Sequence, residues 1–193
     1  MRSLRFVAYL SLMSLAAMAL AQSETHRSHV PASDAQKAFD RLKSLAGNWR
    51  GVARMAHQAD MDSSPVHVSL RVTSGGAALM HEMTPEGRAD DPTRGDDDPI
   101  TMLYLDGGRL LLTHYCDSGK NRPRMVGRSS PDGKTVDFEF LDVSGGTEYG
   151  HMQQASFTFV DADHHIEEWT YMTPAKQPAR AHIELVRAAP EHP

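Results

Sequence analysis

The sequence of 193 residues contains a single cysteine, Cys116, so no disulfide can form within the chain. Aromatic residues are also scarce, at 7%. After residue 21, no apolar run approaches the roughly 20 residues that a membrane-spanning helix needs. We therefore expect the rest of the chain to be water-soluble, without a membrane anchor, and held together by apolar packing alone.

Positive charge is in short supply as well, with 20 Lys and Arg against 25 Asp and Glu. Two of the arginines lie in the first 21 residues, so the remaining 172 residues carry 18 − 25 = −7 charges with His neutral. Proteins that bind nucleic acids need a positive field against the phosphate backbone. The charge balance therefore excludes nucleic acid as an expected partner.

The N-terminus has the pattern of a secretory signal peptide. Arg2 and Arg5 precede an almost wholly apolar stretch at 6–18, and Ala19-Leu20-Ala21 supplies the small residues of a cleavage site. We expect a signal peptide at 1–21, a flexible polar leader at 22–33, and a periplasmic or secreted protein. No cysteine follows the cleavage site, so no lipid anchor is expected.

The folded domain is predicted to span residues 34–189. Apolar residues at helical spacing begin after Ser33 and stop at Gly47, which predicts one short helix. Beyond it, the sequence alternates with a period of two between tight turns, which predicts ten strands. The predicted strands are 48–56, 64–73, 76–84, 99–106, 109–116, 122–129, 134–143, 151–160, 164–172 and 179–187.

Short connections make consecutive strands antiparallel neighbours, and closing the sheet removes its two exposed edges. The predicted fold is all-β, an up-and-down antiparallel β-barrel of about ten strands with a short N-terminal helix, and a two-sheet sandwich is the alternative. The segment 85–99 is rich in aspartate and predicts an exposed loop. Its aspartates lack the ordered spacing of a calcium loop.

The pattern Gly47-x-Trp49-x-Gly51, between the helix and the first strand, resembles the opening of calycin barrels, which include lipocalins, fatty-acid-binding proteins and nitrobindins. The resemblance implies that Trp49 packs across the barrel floor beneath the helix. The stretches 112–116 and 121–125 are similar to a group of uncharacterised exported bacterial lipocalin-like proteins. That likeness implies a fold and a compartment rather than an activity.

The resemblance to nitrobindins raises haem as an alternative cofactor, since those proteins bind it. Haem would need an inward histidine near the last strand, where this chain has His182. Alternation with Ala181 and Ile183, however, turns His182 outward. We therefore expect no cofactor.

A polar cluster inside the barrel is the main candidate for a ligand site. Alternation with Leu110 and Leu112 places His114 on an inner face, as alternation with Ala78 and Met80 does for Glu82. A buried carboxylate needs a partner. We expect the cluster to orient a ligand head, or else to be a charge network that closes the barrel, and its members are Glu82, Tyr104, His114 and Arg124.

Aromatic side chains at alternate strand positions are candidates for the cavity wall, in particular Phe138, Phe140 and Trp169. The adjacent pair His164 and His165 point to opposite faces and so cannot chelate one metal ion. With the aspartates before them, they predict a solvated hairpin tip.

The sequence contains no catalytic motif, and we assign no catalytic residue. We predict an exported protein that binds a small, mostly apolar molecule in a barrel cavity. The alternatives are a barrel enzyme, an isomerase or a hydrolase, and an interaction protein whose barrel is filled by side chains. Ligand identity and oligomeric state are not indicated.

Overall fold

The structure is a computed structural model that describes residues 32–57, 60–86, 99–116 and 118–189. The predicted signal peptide, most of the leader and most of the acidic loop at 85–99 lie outside the described residues.

One short helix precedes the strands: α1, Asp34–Lys43. The hydroxyl of Ser33 caps it by accepting a hydrogen bond from the backbone N of Gln36 at 3.2 Å. Asp34 in the first turn and Lys43 in the last turn complement the helix dipole. Among the described residues, no helix is long and apolar enough to cross a bilayer.

Ten strands follow α1, as predicted. They are β1 Gly47–His57, β2 Asp60–Thr73, β3 Ala78–Pro85, β4 Ile100–Asp106, β5 Arg109–Tyr115, β6 Arg122–Ser129, β7 Thr135–Ser144, β8 His151–Phe159, β9 His164–Met172 and β10 Pro178–Arg187. A 3-10 turn at Ser74–Gly76 joins β2 to β3. The largest departure from the predicted bounds is in β2, which begins at Asp60 rather than at residue 64.

The strands form a closed antiparallel barrel in the order β1-β10-β9-β8-β7-β6-β5-β4-β3-β2. The predicted up-and-down barrel is therefore confirmed over the sandwich. Tight hairpins make this order possible, as between β4 and β5, where Gly107 and Gly108 have φ of 56° and 78°. Two consecutive positive φ angles are typical of the type I′ turn that matches the twist of paired strands.

Closure depends on close backbone contact between the first and last strands. Gly51 on β1 pairs with Leu185 on β10. A Cβ at Gly51 would lie 1.9 Å from the carbonyl oxygen of Glu184, so no larger residue fits without moving β10.

The barrel end covered by α1 is filled. Phe39 and Leu42 of α1 are buried there. Trp49, at the start of β1, is fully buried and donates a hydrogen bond from Nε1 to the carbonyl of Leu45 at 2.8 Å. The guanidinium of Arg187 lies 4.1 Å from the centre of its ring. This end of the barrel is therefore closed by tightly packed side chains.

Candidate functional site

A cavity of about 460 Å³ lies inside the barrel at the end opposite α1. Its described wall is mostly apolar and is formed by the strand ends at this mouth. The lining residues are Ala53, Met55, His81, Met83, Pro99, Thr101, His114, Cys116, Ser118, Met152, Trp169, Tyr171, Thr173, Ala179, Ala181 and Ile183. Its volume is within the range of small-molecule sites.

Three polar residues form a row across adjacent strands of this wall. Thr101 on β4 pairs with His81 on β3 at one side and with His114 on β5 at the other. Paired residues share a face of the sheet, with Cβ atoms about 5 Å apart. The hydroxyl of Thr101 lies 2.8 Å from Nδ1 of His114. The register therefore brings two imidazoles and one hydroxyl to one side of the cavity.

A buried carboxylate from the far side of the barrel reaches this row. Glu167 on β9 is 0% exposed. Its carboxylate accepts hydrogen bonds from three N–H groups. His81 donates from Nε2, 3.0 Å from Oε2, and His165 donates from Nε2, 3.0 Å from Oε1. Trp169 donates from Nε1 to Oε2, also at 3.0 Å. We call Glu167, His81, His165 and Trp169 the Glu167 network.

The protonation states follow from these contacts. Burial alone raises the pKa of Glu167, but the charge on His81 and the hydrogen bonds from His165 and His81 outweigh it and hold that pKa well below its usual range. Burial, followed by the charge of His81, lowers the pKa of His114 to about 4. Glu167 is therefore ionised and His114 neutral at neutral pH.

Trp169 connects the Glu167 network to the row on the opposite wall. Its ring centre lies 5.6 Å from that of His81 and 5.6 Å from that of His114. Phe157 packs edge-on beneath it at 5.8 Å. Trp169 is only 6% exposed and faces the cavity, so it forms the boundary between the filled core and the open space.

Among the predicted ligand-binding residues, His114 and Trp169 line the cavity. Phe138 is 1% exposed and packs against Phe157 in the core at a centroid distance of 6.0 Å. Phe140 packs on His151 at 4.8 Å. Neither Phe138 nor Phe140 is among the described residues of the cavity wall.

The predicted inward orientation of Glu82 is wrong. Glu82 pairs with Ser69, which alternates with the buried Val68 and Leu70 and so lies on the outer face. The neighbouring residue, His81, is the one that points inward. The prediction took the wrong alternate set of β3 residues as the inner face: the set with Leu79 and His81 points inward, and the set with Met80 and Glu82 points outward.

Tyr104 and Arg124 lie outside the barrel, not in the predicted interior cluster. Arg124 forms a bidentate ion pair with Asp142, 2.8 Å from Nε to Oδ1, and about two fifths of its side chain is exposed. The hydroxyl of Tyr104 lies 3.0 Å from that of Thr113, which alternates with the inward Leu112 and His114. The hydrogen bond to Asp142, followed by the negative charge of that carboxylate, raises the pKa of Arg124. These residues cannot contact a ligand in the cavity.

The predicted solvated tip at the start of β9 is half correct. His164 is exposed and its Nδ1 lies 2.8 Å from Asp161, but His165 is buried in the Glu167 network.

His182 faces outward as expected, 3.4 Å from each of Glu168 and Glu184. Among the described residues, no three His, Cys, Asp or Glu side chains are placed to hold a metal ion.

The sequence reasoning did not identify His81, Thr101 or Glu167 as site residues. For Glu167 a signal was present, because Trp169 was expected to point inward and a period of two puts Glu167 on the same face. For His81, both faces of β3 carry apolar residues, so alternation alone does not choose between them.

The described strands form a closed antiparallel barrel with a lipocalin-like fold. No protein-family model matches the sequence, and no curated protein matches it. Among solved structures, the chain is similar to a DUF3598-family protein of unknown function from Nostoc punctiforme, with a TM-score of 0.51 and 10% identity. The match covers 76% of this chain and 49% of that one, so this chain spans about half of its length.

The chain is also similar to an S-type phycobiliprotein lyase from Guillardia theta, with a TM-score of 0.44 and 8% identity over 82% of this chain and 99% of that one. At such identities the likeness concerns the fold alone. The narrower resemblances to nitrobindins, fatty-acid-binding proteins and exported lipocalin-like proteins stay predictions.

Proposed function

We propose that this protein is an exported binding protein that holds a small, mostly apolar molecule inside its barrel. The observation that carries the proposal is the cavity of about 460 Å³. Small-molecule sites are concave, mostly apolar spaces of this size. A barrel whose only task was to be stable would gain by filling the space with larger side chains.

The composition of the wall supports an apolar ligand. Met55, Met83 and Met152 face the cavity, and methionine side chains adapt their shape to irregular apolar molecules. Trp169, Tyr171 and Ile183 add large surfaces for contact with a ligand. Ala53, Ala179 and Ala181 leave room for it. Because α1 and Trp49 close the opposite end, the ligand enters at the mouth.

The test is the binding of N-phenyl-1-naphthylamine, a neutral apolar probe that becomes fluorescent in apolar surroundings. Ala181 lines the cavity, so the change Ala181→Leu fills part of the space and should weaken probe binding at least tenfold. Ala77→Leu makes the same change at an exposed position at the closed end and should leave the affinity unchanged. Thermal unfolding of both variants checks that they fold.

Two outcomes would contradict the proposal. One is a wild-type protein that does not bind the probe, and the other is equal affinity in the wild type and Ala181→Leu. The second result would mean that the probe binds outside the cavity.

Export is the second part of the proposal, and the N-terminal sequence supports it. The full chain, expressed in a bacterium with a periplasm, should appear outside the cytoplasm with its N-terminus at Gln22. Intact-mass measurement of the fractionated protein gives the result directly. A cytoplasmic protein that retains residues 1–21 would show that the segment is not a signal peptide.

A further inference from the structure

The described wall of the cavity offers a ligand no uncompensated charge, since its His81 is paired with Glu167. It includes no Lys, Arg, Asp or Glu. Glu167, the nearest carboxylate, lies behind the wall and already accepts hydrogen bonds from three N–H groups. An ion that enters a cavity of this kind loses its water without gaining a counter-ion. The cavity therefore disfavours both carboxylates and amines.

One buried polar atom of the described wall has no hydrogen-bond partner. His81 is 2% exposed and lines the cavity, and its Nε2 is committed to Glu167. Its other ring nitrogen, Nδ1, is buried and has no hydrogen-bond partner among the described residues. The same is true of His151 and His165, but neither of them is among the residues described on the cavity wall. Buried polar atoms are nearly always hydrogen-bonded in native proteins, so a partner for Nδ1 of His81 is expected.

A second imidazole stands two strands away on the same row. His114 is neutral, and Thr101 holds its Nδ1. The hydroxyl of Thr101 can donate or accept, which leaves Nε2 of His114 free to be either a donor or an acceptor. His81 and His114 both pack on Trp169, so a group lying against that ring is within reach of both.

We propose that the ligand is an uncharged, largely apolar molecule with a hydroxyl group, and that this hydroxyl lies between His81 and His114. This inference rests on the proposed function, since it names the class of molecule that the cavity holds. The apolar part of the ligand lies against the methionines and alanines nearer the mouth.

A hydroxyl group fits both imidazoles better than other neutral groups do. It donates one hydrogen bond and accepts up to two, so it can satisfy Nδ1 of His81 as a donor and His114 as an acceptor, or the reverse. A carbonyl or an ether can only accept. With Nε2 donating to Glu167, Nδ1 of His81 accepts a hydrogen bond when the ring is neutral and donates one when the ring is protonated, and a hydroxyl can be its partner in both cases.

The test uses four ligands that share one chain length: dodecane, 1-dodecanol, dodecanoic acid and dodecylamine. Their affinities for the full chain are measured at pH 7.5 by displacement of N-phenyl-1-naphthylamine. We expect 1-dodecanol to bind at least tenfold more tightly than the acid or the amine, and more tightly than dodecane.

Variants locate the hydroxyl. His114→Phe keeps a ring of similar size, and Thr101→Val keeps the shape while removing the hydroxyl that holds His114. Each should reduce the preference for 1-dodecanol over dodecane at least fivefold. His182→Phe, on the outer face, is the control and should keep the full preference. Thr101→Val also covers the case in which His114→Phe does not fold.

The outcomes separate the two proposals. If the alcohol, the acid and dodecane displace the probe equally, a binding cavity exists but the hydroxyl inference is wrong. A preference for the acid or the amine also overturns it, as does a preference for the alcohol that survives both variants. If the probe itself does not bind, the proposed function fails, and this inference fails with it.

Discussion

Replacing Glu167 with glutamine removes the negative charge of the Glu167 network while keeping its shape. The carboxylate accepts from His81, His165 and Trp169 through two oxygens. The glutamine amide has only one oxygen acceptor. Its NH2 group takes the place of the other oxygen and therefore meets an N–H donor of the network. Trp169 can only donate, so one of the histidines must change its tautomer. The proton then moves to an Nδ1 that has no partner among the described residues.

The structure gives the size of the effect. One buried N–H without a partner costs about 1–3 kcal/mol, and removing one member of a buried ion pair costs about 3–5 kcal/mol. Because the glutamine oxygen still accepts some of these hydrogen bonds, we expect the free energy of unfolding to fall by about 3 kcal/mol. For a domain of this size, that is roughly 6–12 °C in the melting temperature.

Glu168→Gln is the matched control, since it makes the same chemical change at the next position on β9. The side chain of Glu168 is 64% exposed and 3.4 Å from His182, so its loss should change stability by less than about 0.5 kcal/mol. Urea unfolding at pH 7.5, followed by far-UV circular dichroism, measures both variants without relying on Trp169. Equal stability of the two variants would refute the placement of an ionised carboxylate in the core.

Three further predictions concern other parts of the barrel. The folded state holds the pKa of His114 at about 4 against 6.5 in the unfolded chain, so the unfolded chain binds the extra proton and stability falls as the pH drops from 6.5 to 4. Urea unfolding at pH 7.5 and 4.5 should show the wild type losing roughly 2 kcal/mol more than His114→Gln, and equal losses would contradict the burial of this ring. Arg124→Ala should not change the affinity for the apolar probe, because Arg124 lies outside the barrel. Weaker binding by this variant would show that Arg124 contributes to the site. Gly51→Ala should lower the melting temperature sharply or prevent folding, because its Cβ would overlap the Glu184 carbonyl, and a wild-type melting curve would show that β1 and β10 are not in such close contact.

The fold was predictable because each of its determinants is local. Turns such as Gly107-Gly108 fix the antiparallel order of neighbouring strands, and strand lengths follow from the distance between turns. Closure then follows from the need to remove two unpaired edges. The helix was equally visible, since Ser33 caps it and its apolar stripe covers the barrel end.

The site was only partly predictable, because it depends on which face of each strand turns inward. On β3, the alternate sets beginning at Ala78 and at Leu79 each contain apolar residues and one ionisable residue. Only the pairing of Leu79 with Leu103, across to the next strand, identifies the inner set. The expectation that Arg124 points inward was derived from Glu82, so one misplaced face produced both errors.

If the barrel binds a ligand as proposed, the Glu167 network couples its stability to its choice of ligand. Glu167 crosses from β9 to hold His81 on β3, at the level where the apolar core ends and the cavity begins. The same hydrogen bond orients the ring of His81 and commits its Nε2, so Nδ1 is the nitrogen left for a ligand. A change at Glu167 therefore alters the polar end of the cavity as well as the core beneath it. The methionine wall, which takes no part in the Glu167 network, should keep its affinity for purely apolar molecules.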